Sequence, residues 1–196
     1  MNSYAGLNVA ASENAPHLGG NIKVGDPFTY CPRVWNYLID RFAINSILDI
    51  GSGRGFSALY FHNRGAKVLA VDGFDENIML SVYPTVKIDL TVGPIVTRVD
   101  LVHCQEVVEH IEEKHLGNLL DSLVTGKITV MTHALPGQAG HHHVNLQPPE
   151  YWIDHMMKRG CVLLETDTKR IRELAKRDGA DFMANTGMVF ANTARI

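Results

Sequence analysis

Leu48 to Phe56, LDIGSGRGF, is the stretch from which the rest of this chain is read. A short apolar run, Ser46 to Ile50, ends in glycines at alternate positions, Gly51, Gly53 and Gly55, and Arg54 to Arg64 then shows helical periodicity up to Gly65. The pattern predicts strand, turn and helix. Glycine at such a turn admits positive φ and lets a ligand lie against the backbone, while the helix start offers free N–H groups. Asp49 stands two residues before the first glycine, and Asp72 and Gly73 close the next apolar run, Lys67 to Val71. An acid at the end of a second strand sits where a ribose diol is held.

Working outward, Tyr30 to Phe42 predicts a helix, with Val34, Trp35, Leu38, Ile39 and Phe42 on one face and Pro32 in the first turn. After the glycine turn come strands at Val86 to Ile88, Asp100 to Cys104, Lys127 to Thr132, Cys161 to Leu164 and Gly187 to Ala191. Helices are predicted at Glu112 to Val124, Pro149 to Arg159 and Thr168 to Arg177. This alternation argues for an α/β fold, a Rossmann-like, seven-stranded, mostly parallel sheet with helices on both faces. Residues 1–29, rich in Asn, Gly, Pro and Ala, read as an N-terminal arm with a mobile tip and a possible lid over the site; residues 30–196 read as a single domain.

The 196 residues, 45% hydrophobic and 20% charged, suit one globular domain and exclude a disordered chain. A net charge of −3 gives no general affinity for phosphate backbones. The three cysteines, Cys31, Cys104 and Cys161, lack metal-type spacing and sit in or beside apolar runs, so they read as core thiols in a reducing compartment. The N-terminus has no secretory pattern and no apolar run reaches membrane-spanning length, so a cytoplasmic protein without a membrane partner is expected.

Charge narrows the nucleoside. A dinucleotide brings a pyrophosphate, which Asp49 would repel, whereas an ammonium group would be attracted; S-adenosylmethionine has the ammonium and no phosphate. At this point the sequence resembles the class I S-adenosylmethionine-dependent methyltransferases: Asp-x-Gly-x-Gly-x-Gly, an acid after the second strand, and VDLVHCQEVVEHI, Val99 to Ile111, stand in that family's order. Within it, the chain is similar to small stand-alone members of bacteria and phages, of the type 11/23-like kind, that pair GGN-x-x-x-GDP-x-x-Y (Gly19 to Tyr30) with PGQ…HVN…QP…YW (Pro136 to Trp152). The resemblance implies that Asp49, Gly51 and Gly53, with Gly55 closing the turn, approach the methionine part. It places Asp72, beside Gly73, at the ribose, and Asp89 at the adenine amino group with the Leu90 backbone beside it. Gln105 and Glu106 would line the sulfonium side, and Tyr30 could touch the cofactor. One departure stands out: Thr91 to Arg98 is too short for the helix usual between the third and fourth strands.

Ten histidines include four at positions 133, 141, 142 and 143. His110 follows the fourth strand and His133 the fifth, so both should approach the crevice at the C-terminal sheet edge. A histidine there could take a proton from an acceptor hydroxyl or amine. His143, in the HVN segment with Asn145 and Gln147, is the favoured base, with His133 next. No metal is expected: neighbouring loop histidines rarely all face one ion, and no HExxH or two-histidine, one-carboxylate spacing stands out.

The run KRIRELAKR, Lys169 to Arg177, reads as a solvated amphipathic helix rather than a nucleic-acid contact. CQEVVEH after the fourth strand lacks the Asn/Asp-Pro-Pro-aromatic motif of nucleobase amino-methylation, and the chain has no room for a target-recognition module. The reading is methyl transfer from S-adenosylmethionine to a small-molecule acceptor. Its rivals are a non-catalytic S-adenosylmethionine-binding subunit or sensor and a nicotinamide-dependent oxidoreductase, the latter opposed by Asp49 and by the lack of a Tyr-x-x-x-Lys pair.

Overall fold

The structure, a computed structural model, describes residues 9–195. Along the chain run β1 (Val9–Ala11), β2 (Gly19–Ile22), α1 (Pro32–Phe42), β3 (Ser46–Ile50), α2 (Phe56–Asn63), β4 (Lys67–Asp72), α3 (Asp75–Met79) and β5 (Thr85–Lys87). They are followed by β6 (Val99–Cys104), α4 (Leu116–Leu123), β7 (Gly126–Met131), α5 (Pro149–Met157), β8 (Cys161–Leu163), α6 (Glu165–Asp178), α7 (Asp181–Thr186) and β9 (Met188–Asn192).

Strands β3 to β9 form one seven-stranded sheet in the order β5-β4-β3-β6-β7-β9-β8. All neighbours pair in parallel except β9, which runs antiparallel to both β7 and β8. Successive strand residues face opposite sides, so each short apolar run supplies two cores. Ile47, Leu101, Val130 and Val189 pack with Trp35 and Leu38 of α1, Phe61 of α2 and Ile171 of α6. Leu48, Val102, Met131 and Phe190 pack on the other face with Leu119 and Leu120 of α4 and Trp152 and Met156 of α5. The order reverses between β3 and β6, and a crevice opens there at the C-terminal ends of the strands, the usual ligand position in such sheets.

Several expectations are corrected. The arm is more than a loop: β1 and β2 pair antiparallel, Val9 with Ile22 and Ala11 with Gly19. These strands are too short and glycine-rich to show alternation, and tertiary contacts hold them. His17 Nε2 donates to Asp89 at 3.0 Å, His141 Nε2 donates to the Pro16 carbonyl at 2.9 Å, and Asn21 and Asn77 exchange side-chain hydrogen bonds at 3.0 Å. The arm's expected mobile tip, residues 1–8, lies outside the described residues, as does Ile196.

Helices α3 and α7 escape sequence reading because five and six residues cannot display a helical period. The helix expected from Glu112 opens as a 3-10 turn, Glu113–His115, before α4, and α6 starts at Glu165 rather than Thr168. The segment after β5 carries no helix, as its length implies, and all three cysteines are buried and free. Ile171, Leu174 and Ala175 of α6 are buried, the amphipathic arrangement expected of that basic run. No helix among the described residues is long and apolar enough to cross a membrane.

Candidate active site

A cavity of about 1400 Å³ occupies the crevice, roofed by the arm and floored by the loops after β3, β4, β5, β6 and β7. Its first half is built on the glycine turn. Gly51, Gly53 and Gly55 all have positive φ, 67°, 54° and 76°. They do different work. A side chain at Gly51 would strike Val107, whereas at Gly53 it would meet open space, so Gly53 is the glycine whose bare backbone faces the open cavity. Gly55 does not line the cavity: a Cβ there would strike Ser81, so this glycine seats the loop after α3, contrary to the expected cofactor role.

The register of β3 on β6 sets Asp49 beside His103. Asp49 Oδ1 and His103 Nδ1 lie 2.6 Å apart, and Ser57 donates to Asp49 Oδ2 at 2.6 Å. Trp35 Nε1, which can only donate, lies 3.3 Å from His103 Nε2. That contact fixes the tautomer: Nε2 accepts, so Nδ1 carries the hydrogen that binds Asp49. Asp49 lines the cavity floor at 1% exposure with both oxygens already engaged, so only its remaining lone pairs can meet an ammonium.

Asp72 ends β4. Its Oδ2 accepts from the Gly53 amide and its Oδ1 from the Phe74 amide, both at 2.8 Å, tying the second strand to the glycine turn. Burial raises its pKa, against the lowering effect of these amides. Gly73 lines the cavity beneath Leu18 of the arm, where a side chain would clash. Leu90 and Tyr30 also line it, Tyr30 edge-on to Trp35 with ring centroids 5.0 Å apart. Asp89 lines it as well but is engaged by His17, and its Oδ1 accepts from the Thr91 amide at 2.8 Å. Desolvation raises its pKa, but the bonds from Thr91 and His17 outweigh that and leave it lowered. Any ligand group that reaches Asp89 would therefore share it with His17 of the arm.

The other half is made from the segment after β6. Gln105 lines the cavity with its Nε2 buried and unpaired. Glu106 sits at φ 55°, a conformation rare for a residue with a side chain. Thr132 holds it there, accepting from the Glu106 amide and donating to its carboxylate, both at 2.8 Å. Burial pushes the Glu106 carboxyl up to about 7. Glu109, fully buried with no donor beside it except a protonated Glu106 carboxyl, is raised well above the ordinary range by burial and by Glu106.

The Glu109 carbonyl accepts from the amides of Val144 and Asn145, at 3.0 and 3.1 Å, which clips the histidine loop to this turn. His110 and His143 thereby meet with ring centroids 5.2 Å apart. Burial, then the adjacent histidines, push His110 down to about 3, and its Nδ1 is buried without a partner. His143 Nδ1 donates to the Gln138 carbonyl at 3.1 Å, leaving Nε2 as the free acceptor, and burial lowers its pKa. His133 reaches the cavity wall but is 1% exposed, its ring set 6.3 Å from Trp152 and its Nδ1 against the Ala134 carbonyl at 3.3 Å. Of the three candidate bases, His110 and His143 come together and His133 belongs to the core wall.

Sequence reading missed Glu109, His103 and His17. The first two were masked by apolar neighbours, Val107 and Val108 around one and Leu101 to Cys104 around the other. A visible signal existed in the acids and histidine of EVVEH, spaced so that one turn presents them together.

Residues 48–124 match the family described as a methyltransferase domain. No curated protein matches the sequence significantly. Among solved structures, an S-adenosylmethionine-dependent methyltransferase from Archaeoglobus fulgidus is similar with a TM-score of 0.57 at 17% identity, covering 85% of this chain and 94% of that one. A chain from a Haloferax volcanii complex of a methyltransferase with its activator gives 0.59 at 12%, covering 83% and 90%. A magnesium protoporphyrin methyltransferase from Synechocystis, solved with S-adenosylmethionine bound, gives 0.53 at 15%, covering 66% of each chain. At these identities the likeness to solved structures is one of fold. Residues 48–124 therefore match a methyltransferase domain, and the strand order and the likeness to these structures give the chain the Rossmann-like fold of class I methyltransferases.

Proposed function

We propose that the protein methylates an oxygen or nitrogen of a small-molecule acceptor, with the cofactor along the glycine turn and the acceptor beneath the arm at the His110–His143 pair. The observation that carries this is one cavity joining Asp72 and Gly53 at one end to His110 and His143 at the other. Its volume of about 1400 Å³ exceeds the roughly 300 to 1,000 Å³ of a site for one small ligand, leaving room for a second. Gly53 has the open backbone face, and Asp72 retains lone pairs beyond those its amides use, which suits a ribose diol.

Bound there, S-adenosylmethionine supplies a methyl carbon on a cationic sulfur that leaves as a neutral thioether. The chain holds acceptor and methyl in line, and such positioning can supply most of the acceleration. His143 Nε2, kept unprotonated by the bond of Nδ1 to Gln138, takes the acceptor's proton, an assistance worth a factor of ~10² to 10⁴. Glu106, rigid on Thr132, marks the boundary between the two halves. The three buried thiols suit a reducing cytoplasm.

Calorimetric titration with S-adenosylmethionine, S-adenosylhomocysteine and NAD tests the cofactor end, and release of S-adenosylhomocysteine across a panel of hydroxyl and amine acceptors tests turnover. Binding of the two sulfur nucleosides, lost in Asp72→Ala, is expected. Binding of NAD alone would overturn the reading.

A further inference from the structure

Glu109, His110 and His143 each offer a ligand atom, and these atoms all lie within 4.8 Å of one another. An ion bound at ~2.0 to 2.2 Å gathers its donors to roughly 3.5 Å, so the set needs to close by about an ångström. Three further observations point to a cation. Glu109 is fully buried, and its carboxyl finds no donor among the described residues other than a protonated Glu106 carboxyl beside it. Two buried carboxyls that can satisfy each other only by holding a proton between them leave the charged form uncompensated, which a cation would relieve. His110 Nδ1 is buried and unpaired. His143 uses Nδ1 on the Gln138 carbonyl, an arrangement that orients a ligating imidazole and presents Nε2.

The loop is committed to this geometry by its backbone. Two amides, of Val144 and Asn145, bind the Glu109 carbonyl, and the Asn145 side chain donates to the Ile111 carbonyl at 3.3 Å. The sequence separation between Glu109 and His143 hid the cluster from any spacing rule, since a loop closed across the sheet edge sets the distance.

We propose that Glu109, His110 and His143 bind one divalent transition-metal ion, and that the ion holds the acceptor of the methyl group through a hydroxyl oxygen. Two imidazoles and one carboxylate suit zinc, manganese, iron(II) or cobalt and leave coordination positions open. His110 and His143 line the cavity, so the open positions face the acceptor. The acceptor's O–H proton passes to solvent as its oxygen binds the ion. An oxygen lone pair then forms the bond to the methyl carbon, and the electron pair of the broken carbon–sulfur bond stays on sulfur. His143 acts here as a ligand, and the ion does the work assigned above to a free base. This role rests on the methyl-transfer reading; metal binding itself does not.

The test is titration of chelator-treated full-length protein with Co²⁺, followed by visible absorption, and with Zn²⁺ or Mn²⁺ by calorimetry, all without cofactor. One ion per chain is expected, with ligand-field bands, weakened at least tenfold in Glu109→Gln and in His143→Asn and unchanged in His142→Ala, whose ring lies outside the cavity wall. Thermal unfolding guards against a folding artefact: metal-free Glu109→Gln should melt no lower than metal-free wild type while losing the metal-induced rise. Absence of binding in wild type, equal binding in Glu109→Gln and His143→Asn, or loss only in His142→Ala would each overturn the site. S-adenosylmethionine binding without metal binding removes this inference and leaves the methyl-transfer reading standing. Metal binding without S-adenosylmethionine binding overturns the role assigned to the ion.

Discussion

The two ends of the cavity are built on opposite principles. At the cofactor end every carboxylate oxygen of Asp49 and Asp72 accepts a hydrogen bond from the chain itself. At the acceptor end Glu109 has only the Glu106 carboxyl for a partner, and Nε2 of Gln105 and Nδ1 of His110 are buried with none. Satisfied groups pre-organise a site, and the fold keeps it without help. Unsatisfied ones destabilise the free protein and are retained where something outside the chain completes them.

Breaking the satisfied end should have the largest effect. Gly51→Val places a branched side chain at φ 67° against Val107; we expect ~2 to 4 kcal/mol of destabilisation in thermal or denaturant unfolding and no calorimetric S-adenosylhomocysteine binding. Asp72→Ala removes the proposed ribose partner and unpairs the Gly53 and Phe74 amides; cofactor affinity should drop by roughly 10- to 100-fold and stability by ~1 to 3 kcal/mol.

The raised pKa of Asp72 gives the same residue a pH signature. Its protonated form is the favoured one in the fold, so its contribution to stability is full below the unfolded pKa and lost as pH rises through the raised value. Ribose binding needs the carboxylate and should run the other way. Affinity measured just above the ordinary carboxylate range should fall on acidification while this residue's contribution to stability increases.

At the unsatisfied end the expected sign is reversed. Glu109→Gln in metal-free buffer should raise stability by about 1 to 2 kcal/mol, read as a higher melting temperature, because it removes an uncompensated buried acid. A loss of stability would show that Glu109 is structural and that the contrast between the ends is false.

Smaller effects sharpen the boundary. Trp35→Phe leaves His103 Nε2 without its donor and should destabilise by ~1 kcal/mol, with a modest loss of cofactor affinity as Asp49 loosens. His17→Ala removes one clip of the arm to Asp89 and should alter stability by less than ~1 kcal/mol while speeding proteolysis between β1 and β2.

The cofactor end was the more legible because its requirements are local. Positive φ at Gly51 and Gly53, an acid two residues earlier and an acid closing the next strand all follow from a strand-turn-helix unit, so periodicity and glycine spacing expose them. Gly55 shows the limit of that logic: it shares the spacing, but its space is taken by Ser81 from a distant loop. The acceptor end was legible only as a list of histidines. Which of them meet depends on the Val144 and Asn145 amides reaching the Glu109 carbonyl, a closure without a sequence period.

By itself the sequence determined the sheet, its mostly parallel strands, the glycine turn and the resemblance to a methyltransferase domain, because alternating apolar residues and glycine conformations act within a few residues of one another. Only the tertiary structure decided that the arm roofs the cavity and shares Asp89, that His133 belongs to the core wall, and that Glu109 joins His110 and His143. Those outcomes depend on which distant backbone amides and carbonyls find each other when two layers of helices close on the sheet, and no local pattern encodes that choice.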